Sequence, residues 1–482
     1  MQADPVYGTT SACAAERPLI VDLDGTLLKT DLSMEAFLAV LAVQPFHALW
    51  TLAALRHGMP AFKAKLEDLA VLDVTSLPFN EDVLRFIKAE KERGRAIHLA
   101  SAAAGKYVSA IAQHLCLERE VFSSNSTVNL KGEQAADLFA ARFGEKGFDY
   151  IGNAAPDEFI WRRCHTVLIA NASDGLVRAI RQFAPEAHEV TRSQTTWRDY
   201  ANVLRIHQWL KNILVFVPAL LAHEWQGLIP SALAFLAFCL CASSAYIVND
   251  LLDLRSDREH ERKRHRPFAS GRVPIPHGLA LAPTLMLLGL IAAFPLGLRF
   301  LGVLLAYIAI TFAYSFFLKR KPMIDVITLA CLYGIRVLAG GVATGIFLSP
   351  WLGALCLFLF FYLALIKRCA ELWGRLANDN GDPLGRGYRL SDLPLLQTMA
   401  TASGFLSVLV LALYFNSETV AVLYSHHRWL WIILVLALYW ISRVLLLTSR
   451  GLMNDDPVIF AATDRVSQIV AVLCAAVVLV SI

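Results

Sequence analysis

Residues 249–272 read NDLLDLRSDREHERKRHRPFASGR and follow directly on an apolar run that ends at Val248. Asp250, Asp253 and Asp257 are spaced three and four residues apart, so a helix would place them on one face. Carboxylates on one stripe repel each other unless cations lie between them, and such oxygen ligands suit Mg²⁺ held together with substrate phosphates. The stretch therefore predicts a magnesium–phosphate site. The alternative is a charged loop that only marks the cytoplasmic side of a membrane.

The same stretch continues into a run of cations, which suit the remaining phosphate oxygens of a substrate. The residues predicted to bind substrate here are Asn249, Arg258, Lys263, Arg264 and Arg266.

The composition divides the chain into two parts. Of its 482 residues 56% are hydrophobic and 17% charged, and a net charge of +4 gives no indication of nucleic-acid binding. Residues 1–195 mix charged and apolar residues like a soluble α/β domain, whereas residues 196–482 alternate apolar runs with charged loops. Scattered Cys residues predict buried thiols rather than disulfides, and the first residues lack the pattern of a secretory signal. We therefore expect a cytoplasmic N-terminal domain joined to a membrane domain.

A second acidic motif ends a short apolar strand. Residues 19–27 read LIVDLDGTL, and Asp22 and Asp24 would point together into the crevice where open α/β sheets bind ligands. One carboxylate can attack phosphorus while the other acts as acid or base, with Mg²⁺ neutralising the phosphoryl oxygens. This DxDGT motif after a strand resembles the first motif of the haloacid dehalogenase superfamily of phosphatases.

That resemblance implies further site residues. Ser101, which ends the apolar segment AIHLAS, matches the second motif and would hold a phosphoryl oxygen. Asn153 and Asp157, after FDYIG, match the metal-binding fourth motif, although the family often has Asp in place of Asn153. The motif lysine is either Lys131 or Lys146. A retained scaffold without activity is the alternative.

Residues 30–95 are expected to form a helical cap over this site. Their apolar stretch 36–55 is split by Pro45 and predicts two short cap helices rather than a membrane span. Exposed Phe46, Trp50 and Leu52 would allow the cap to contact the bilayer surface.

From residue 200 the sequence has nine apolar runs, each near the length that crosses a hydrocarbon core of about 30 Å. They cover residues 203–222, 229–248, 279–297, 300–318, 324–344, 350–366, 396–415, 429–448 and 466–482. Lys and Arg concentrate in the loops after the even-numbered runs, which places those loops in the cytoplasm. The predicted fold is therefore a Rossmann-type α/β domain with a helical cap, followed by an all-α bundle of nine transmembrane helices in a bacterial inner membrane.

The fifth run carries further charges. Asp325 begins it, and Arg336 lies eleven residues later on nearly the same face. An Arg in mid-span costs about 2.5–3.5 kcal/mol on insertion scales, so we expect a polar cavity and a partner for it. A structural ion pair is the alternative. We predict Asp325 as a metal ligand, and the residues predicted to bind substrate are Lys211, Tyr314, Lys319, Lys321, Arg336 and Lys367.

Residues 249–257, NDxxDxxxD, resemble the first Asp-rich motif of the UbiA-type prenyltransferase superfamily. The polyprenyl-phosphate (decaprenyl-phosphate) phosphoribosyltransferase branch is the most similar, over residues 200–482. The other motifs that carry this resemblance are RxHxWxKN at 205–212, KRHRP at 263–267, YSxxLKR at 314–320 and NDDPVxF at 454–460. The family's second motif, often DxxxD, is incomplete because Leu329 follows Asp325.

The resemblance implies transfer of 5-phosphoribosyl from phosphoribosyl diphosphate to a polyprenyl phosphate, with release of diphosphate. Asp250 and Asp253 would be catalytic and would hold Mg²⁺ with Asp257. The N-terminal domain would then remove the 5-phosphate. Its catalytic residues would be Asp22, Asp24, Ser101 and Lys131, and its metal ligands Asp22, Asp24, Asn153 and Asp157.

Two other functions remain open. One is an aromatic prenyltransferase that uses a polyprenyl diphosphate, and the other is a transporter of phosphorylated lipids with a regulatory soluble domain. The partners that we expect are the two substrates and the lipid bilayer, without nucleic acid, and a homo-oligomer is compatible with the sequence.

Overall fold

The computed structural model describes residues 17–118, 120–124, 130–192, 195–377, 387–453 and 456–482. Contacts divide the chain into two compact units. The first is Met1–Val203 with Ile247–Ala280, and the second is Leu204–Tyr246 with Leu281–Ile482. The sequence did not indicate that the acidic stretch would belong to the same unit as the N-terminal domain.

The first unit is built on a six-stranded parallel sheet in its described residues, with the order β3-β2-β1-β4-β5-β6. The strands are β1 Leu19–Asp22, β2 Ile97–Ala104, β3 Phe122–Ser124, β4 Asp149–Gly152, β5 Val167–Ala170 and β6 His188–Thr191. Residues Leu19 to Val21 of β1 are fully buried, as expected for a parallel sheet covered on both faces. The chain leaves β1 toward β2 on one side and reaches β4 on the other, which opens a ligand crevice at the carboxyl end of β1. The predicted Rossmann-type sheet is confirmed.

Helices flank the sheet, and the first four of them lie between β1 and β2, in the segment predicted as a cap. The helices of this part are α1 Leu32–Val43, α2 Pro45–Leu52, α3 Met59–Leu69, α4 Glu81–Glu92, α5 Gly105–His114, α6 Glu133–Phe143, α7 Glu158–Trp161, α8 Asp174–Phe183 and α9 Trp197–Leu204. The cap consists of α1 to α3. The Asp31 side chain caps α1 by accepting from the Met34 N–H at 2.9 Å. Pro45 occupies the first turn of α2, where its missing N–H costs nothing, so the predicted break at this residue is confirmed.

From Ile206 onward the described chain forms helices and turns. A 3₁₀ helix, Ile206–Phe216, precedes α10 Val217–Leu221, α11 Leu228–Leu252, α12 Leu254–Glu259, α13 Ile275–Ala293, α14 Gly297–Phe316, α15 Ile324–Thr344, α16 Pro350–Ala377, α17 Leu393–Phe415, α18 Glu418–Leu423, α19 Trp431–Ser449, α20 Pro457–Thr463 and α21 Arg465–Ser481.

Six helical stretches in the described residues are long and apolar enough to cross a membrane, or seven if α20 and α21, bent by 79°, count as one. The prediction of nine spans is therefore not confirmed. One stretch, Ile275–Phe316, has 42 residues and covers two of the predicted spans. A straight helix of that length would measure about 60 Å, twice the hydrocarbon core. Gly297, with a φ of 86°, separates its two helices.

The first predicted span, residues 203–222, is also shorter than expected. Ile206–Leu221 is an apolar stretch below the length of the six candidates, and most of it is 3₁₀ helix. Close packing against α15 accounts for its position in the second unit. A Cβ added to Gly340 would lie 2.0 Å from the carbonyl oxygen of Val215, so the two backbones approach as only glycine allows. This approach places the residues just before Val215 beside the helix that carries Arg336.

Candidate active sites

Asp22 and Asp24 lie at the carboxyl end of β1, as predicted. The Thr26 hydroxyl donates to Asp22 Oδ2 at 2.9 Å. The Leu32 backbone N–H, at the start of α1, donates to Asp24 Oδ1 at 2.8 Å, and the Ser101 hydroxyl donates to Asp24 Oδ2 at 2.9 Å. The structure thus brings the first and second motifs of the phosphatase resemblance together.

Asp157 approaches the same site from the end of β4. Its Oδ2 accepts the backbone N–H groups of Asn153 and Ala154 at 2.9 Å each, and its Oδ1 accepts from the Tyr150 hydroxyl at 3.2 Å. The Asn153 side chain lies against the turn after Asp24, because a Cβ added to Gly25 would be 2.0 Å from Asn153 Nδ2. Gly25 also has a φ of 81°. Both the close approach of Asn153 and this backbone conformation therefore favour glycine in the turn.

These carboxylates affect one another electrostatically. Burial raises the pKa of Asp22 well above its usual value, and the charges of Asp157 and Asp24 raise it further. Burial also raises the pKa of Asp24 to about 7, with the charge of Asp31 adding to the shift. At neutral pH Asp24 is therefore able to carry the proton that a general acid donates.

Lys131, rather than Lys146, lies at this site. Lys131 lines the same cavity as Asp22 and Asp157, and its charge lowers the pKa of Asp157 against the larger, opposing effect of burial. Lys146 Nζ instead donates to the carbonyl oxygens of Arg162 and Cys164 at 2.8 Å each. The structure therefore favours Lys131 as the motif lysine.

The sequence did not predict Lys63 of α3 as a site residue. Its Nζ donates to the Ala102 carbonyl oxygen at 2.6 Å, and it lines the cavity that contains Asp22 and Asp24. Burial lowers the pKa of Lys63, while the charges of Asp31 and Asp24 oppose that shift. No sequence signal marks Lys63, because only the packing of the cap brings it to the sheet.

A cavity of about 620 Å³ contains these groups, a size typical of small-molecule sites. Its polar lining includes Asp22, Asp24, Lys63, Ser101, Lys131, Asn153 and Asp157. Its apolar lining from the cap includes Phe37, Leu52, Leu55, Met59 and Phe62. The carboxylates thus face a cavity that is large enough for a phosphorylated sugar with an additional substituent.

The acidic stretch is only partly the single face that the spacing predicts. Helix α11 ends at Leu252 and α12 begins at Leu254, so the helix breaks at Asp253. Arg266 Nη1 donates to Asp250 Oδ1 at 3.1 Å and to Asp257 Oδ2 at 2.6 Å, which brings these two carboxylates together. Asp253 Oδ2 instead accepts from Asn249 Nδ2 at 3.0 Å. Burial raises the pKa of Asp257 to about 6, although the Arg266 charge opposes that shift.

The remaining predicted cations of this stretch lie nearer the surface. Lys263 is half-buried, and the exposed Arg264 has its Nε 3.4 Å from His265 Nε2. Their position near the surface suits both cations to binding a soluble phosphorylated substrate.

Arg258, predicted to bind substrate, forms a buried ion pair with Glu35 of α1. Its Nη1 and Nη2 donate to the Glu35 carboxylate at 3.1 and 2.6 Å, and its Nε donates to the Ala269 carbonyl oxygen at 3.0 Å. The Thr30 hydroxyl also donates to Glu35, at 2.7 Å. The two charged side chains are 7% and 4% exposed. These contacts favour a structural role for Arg258, and they attach the acidic stretch to the helix whose Leu32 N–H binds Asp24.

We expect Arg258→Ala to destabilise the first unit. The change leaves the Glu35 charge buried without its partner, which typically costs about 3–5 kcal/mol. That cost corresponds to a fall of roughly 10 °C in melting temperature for a domain of this size, measured by thermal unfolding of the purified chain in detergent. Arg255→Ala is the matched control, because it removes an exposed pair with Glu259 that is worth about 1 kcal/mol or less. Equal shifts for the two variants would contradict the structural role.

In the second unit, Lys211 and Asn212 join motifs that are far apart in the sequence. Lys211 Nζ pairs with Asp456 of the NDDPVxF motif, and Lys367 Nζ lies 3.9 Å from the same carboxylate. Asn212 Oδ1 accepts from Arg336 Nε at 2.7 Å. Lys211 and Lys367 therefore share the Asp456 carboxylate, and Asn212, next to Lys211, binds Arg336. Asn454 and Asp455 of the motif lie outside the described residues.

Arg336 has polar partners within α15 and its neighbours, as an Arg in mid-span requires. Besides Asn212, its guanidinium contacts the Tyr307 hydroxyl at 3.1 Å and the carbonyl oxygen of Leu332. It also lies over the Tyr307 ring, 4.9 Å from the centroid. In the described part of the chain these partners are neutral, so the ion pair with Asp325 that the spacing allowed does not form.

Asp325, predicted as a metal ligand, lies in a buried ion pair with Arg368. It is fully buried, and its Oδ1 and Oδ2 accept from Arg368 Nη2 and Nε at 3.1 and 2.5 Å. The Tyr314 hydroxyl donates to Oδ1 at 2.8 Å, so Tyr314 belongs to this buried pair as well. These contacts favour a structural role for Asp325, and its role as a metal ligand stays a prediction. Lys319 and Lys321 lie in the turn before α15, and the Lys321 carbonyl accepts the Asp325 N–H at 3.1 Å.

Magnesium remains a prediction for both acidic sites. Across the residues that the structure describes, no three His, Cys, Asp or Glu side chains are grouped so that they could hold a metal ion. Mg²⁺ in phosphate-transfer sites is nevertheless often held by one or two carboxylates together with substrate phosphates. The charges of Asp157 and Asp24 raise the pKa of Asp22 in addition to burial, and Arg266 binds both Asp250 and Asp257. Both groups of carboxylates would therefore be stabilised by a positive ion.

The span-length helices with their charged clusters define a multi-pass membrane protein. This protein also has an α/β domain with a carboxylate-lined cavity. The chain belongs to the UbiA prenyltransferase family, whose model matches residues 213–480, more than half of the chain.

Three relatives indicate how far the similarity extends. Uncharacterized protein y4nM of Sinorhizobium fredii is 33% identical over 463 residues, which cover 95% of this chain and 90% of that protein. Nodulation protein NoeC of Azorhizobium caulinodans is 35% identical and covers 57% of this chain and 90% of its own length. Decaprenyl-phosphate phosphoribosyltransferase of Mycobacterium tuberculosis is 34% identical over 218 residues, 44% of this chain and 72% of that enzyme.

Similarity to solved structures is weaker. A UbiA homolog from Archaeoglobus fulgidus bound to GPP and Mg²⁺ is 17% identical with a TM-score of 0.45, and covers 58% of this chain and 99% of its own. A phospho-aspartyl intermediate analogue of phosphoserine phosphatase is 15% identical with a TM-score of 0.26, over 39% of this chain and 97% of its own. Both likenesses are too weak to carry a functional argument.

Proposed function

We propose that the membrane domain transfers 5-phosphoribosyl from phosphoribosyl diphosphate to a polyprenyl phosphate and releases diphosphate. The observation that carries this proposal is the set of carboxylates at Asp250, Asp253 and Asp257, with cations beside it, in a chain of the UbiA family. The identity of 34–38% with decaprenyl-phosphate phosphoribosyltransferases, over part of the chain, supports this choice of substrates. The distribution of Lys and Arg supports a cytoplasmic membrane location with the N-terminal domain inside.

The proposed transfer needs charge stabilisation more than proton transfer. The acceptor is already a phosphate oxyanion, so no general base is required, and positive charge develops on the ribose as diphosphate departs. Asp250 and Asp253 are the residues that would hold Mg²⁺, which neutralises charge on the leaving diphosphate. Lys263 and Arg264 would bind phosphate oxygens from the exposed side, while Arg266 keeps Asp250 and Asp257 in position.

The N-terminal domain is proposed to remove the 5-phosphate from the transfer product. Asp22 attacks phosphorus, and Asp24 donates its proton to the departing ribose oxygen. Asp24 then takes a proton from the water that hydrolyses the phosphorylated Asp22. Ser101 and Lys131 would hold the phosphoryl oxygens during both steps. The final product is polyprenylphosphoryl ribose.

Lys131→Met is expected to lower phosphatase turnover by about 10²–10³-fold, the usual cost of removing one stabilising donor. The measurement is release of inorganic phosphate from p-nitrophenyl phosphate by the full-length chain. Lys146→Met is the matched control, since that lysine binds two backbone carbonyls away from the cavity lining. A larger loss of turnover in the Lys146 variant would contradict the assignment of Lys131 as the motif lysine.

A prenyl transfer reaction is the second candidate. Digeranylgeranylglyceryl phosphate synthase of Sulfolobus acidocaldarius is also a relative, 26% identical over 37% of this chain. Exchange of the donor distinguishes the two reactions. With chain reconstituted in liposomes, we expect magnesium-dependent diphosphate release from phosphoribosyl diphosphate plus polyprenyl phosphate. Release from polyprenyl diphosphate plus an aromatic acceptor, in place of the first mixture, would favour the alternative.

A further inference from the structure

The cavity of the N-terminal domain has two chemically different ends. Asp22, Asp24 and Lys131 provide one end, where a phosphomonoester would react. The cap provides the other mainly with apolar side chains, in addition to polar Ser33 and Lys63. These apolar residues are Phe37, Leu52, Leu55, Met59 and Phe62. A soluble sugar phosphate would leave this second end in contact with water, whereas an apolar chain would fill it.

The apolar end of the cavity continues to the surface. Leu52, Leu55 and Met59 line the cavity and are still 39%, 42% and 47% exposed, so they form a rim. Next to this rim, Phe46 and Trp50 of α2 are 77% and 74% exposed. They lie four residues apart with Leu49 between them, on one face of a helix that buries Ala48 and Thr51 on the other.

Cations flank this exposed face. Lys65 Nζ lies 5.7 Å from the centroid of the Trp50 ring, and Arg56 lies in the last turn of the 3₁₀ helix Ala53–His57 that follows α2. An apolar helical face with aromatic residues and nearby cations is the pattern of a helix that lies in a membrane interface with anionic lipids.

One further residue that lines the cavity belongs to a candidate membrane span. Leu279 lines the same cavity, and it belongs to the first turns of α13, within the candidate membrane span Ile275–Phe316. Leu279 belongs to the same compact unit as the cap. Helix α13 therefore contributes one apolar side chain to the cavity wall and is part of a candidate membrane span.

We propose that the cap rests on the membrane through Phe46, Leu49 and Trp50, and that the cavity takes its phosphomonoester from the bilayer with the lipid chain against the apolar rim. The ligand class is thus an amphipathic phosphomonoester, with its phosphate at Asp22 and its chain along Leu52, Leu55 and Met59. The choice of a lipid-linked ribose phosphate as the natural member of this class rests on the proposed function. The membrane contact itself does not.

The membrane contact is tested by a nitroxide label at Phe46→Cys in the full-length chain, with Cys13, Cys116 and Cys331 replaced by Ser. The chain is placed in nanodiscs of phosphatidylethanolamine and phosphatidylglycerol, and collisions of the label with oxygen and with a water-soluble nickel chelate are measured. We expect oxygen to dominate at position 46, and the nickel chelate to dominate at the control label Lys88→Cys, an exposed position on α4. A label at position 46 that meets mainly nickel would overturn the proposal.

The substrate preference is tested by the turnover ratio between decaprenylphosphoryl 5-phosphoribose in nanodiscs and p-nitrophenyl phosphate in water. We expect Phe46→Ser with Trp50→Ser to lower this ratio about tenfold, the effect of about 1.4 kcal/mol of lost binding. Leu138→Ser, an exposed leucine on α6, is the control and should not change the ratio. An unchanged ratio in the double variant would overturn the proposed lipid route. A membrane-inserted label in a chain that hydrolyses no lipid-linked phosphate would retain the membrane contact and reject the phosphatase step.

Discussion

Asp22→Asn is expected to stop removal of the 5-phosphate while transfer continues, so the 5-phosphorylated lipid accumulates. Asn has nearly the shape of Asp but lacks the carboxylate that attacks phosphorus, and loss of a nucleophile typically lowers turnover by about 10³-fold or more. The Thr26 hydroxyl that binds Asp22 at 2.9 Å can still donate to the Asn oxygen, so the loop should keep its shape. Mass spectrometry of the lipid products measures the effect as retention of one phosphate group.

The control for this variant is Asp174→Asn, which removes an exposed carboxylate paired with Arg192 at 2.8 Å. Its lipid product should match that of the unaltered chain. If Asp22→Asn also yields the unphosphorylated ribose lipid, the N-terminal domain does not perform the second step.

Asp250→Asn and Asp253→Asn are each expected to lower diphosphate release by about 10²–10³-fold, because each removes charge that would hold Mg²⁺ on the leaving group. The two variants should differ in their structural effects. Asp250 shares Arg266 with Asp257, whereas Asp253 is bound by Asn249. Asp250→Asn should therefore loosen Arg266 in addition to weakening metal binding. Release of diphosphate from phosphoribosyl diphosphate, with and without Mg²⁺, is the measurement.

Glu259→Gln provides the matched control, since this exposed carboxylate of α12 pairs with exposed Arg255 at 3.1 Å. Hydrolysis of p-nitrophenyl phosphate in the same samples shows whether the first unit remains folded. Full transfer activity in the Asp250 and Asp253 variants would remove the basis for a metal-held leaving group.

The sequence could predict those features that local patterns determine. The apolar strand that ends in Asp22 and Asp24 fixes the carboxyl end of β1, and Pro45 fixes the break between α1 and α2. Ser101 lies in the carboxyl-terminal half of β2 and Asp157 follows β4, and parallel strands bring their carboxyl ends to one edge. The structure places these residues together for that reason.

The remaining features depend on tertiary packing. Glu35 and Arg258 are separated by 223 residues, and Asp325 pairs with Arg368 rather than with Arg336 on its own helix. Helical spacing shows which residues share a face, but it does not show which neighbouring helix supplies the partner. Lys63 reaches the cavity only through the fold of the cap. The break at Asp253 separates carboxylates that an unbroken helix would have aligned.

The two proposed reactions are tested most directly by the mass of the lipid that the purified chain makes from phosphoribosyl diphosphate and decaprenyl phosphate with Mg²⁺. We expect decaprenylphosphoryl ribose for the unaltered chain, its 5-phosphate for Asp22→Asn, and one diphosphate released for each lipid converted. Unchanged decaprenyl phosphate, in a sample that instead consumes a polyprenyl diphosphate, would contradict the proposed transfer.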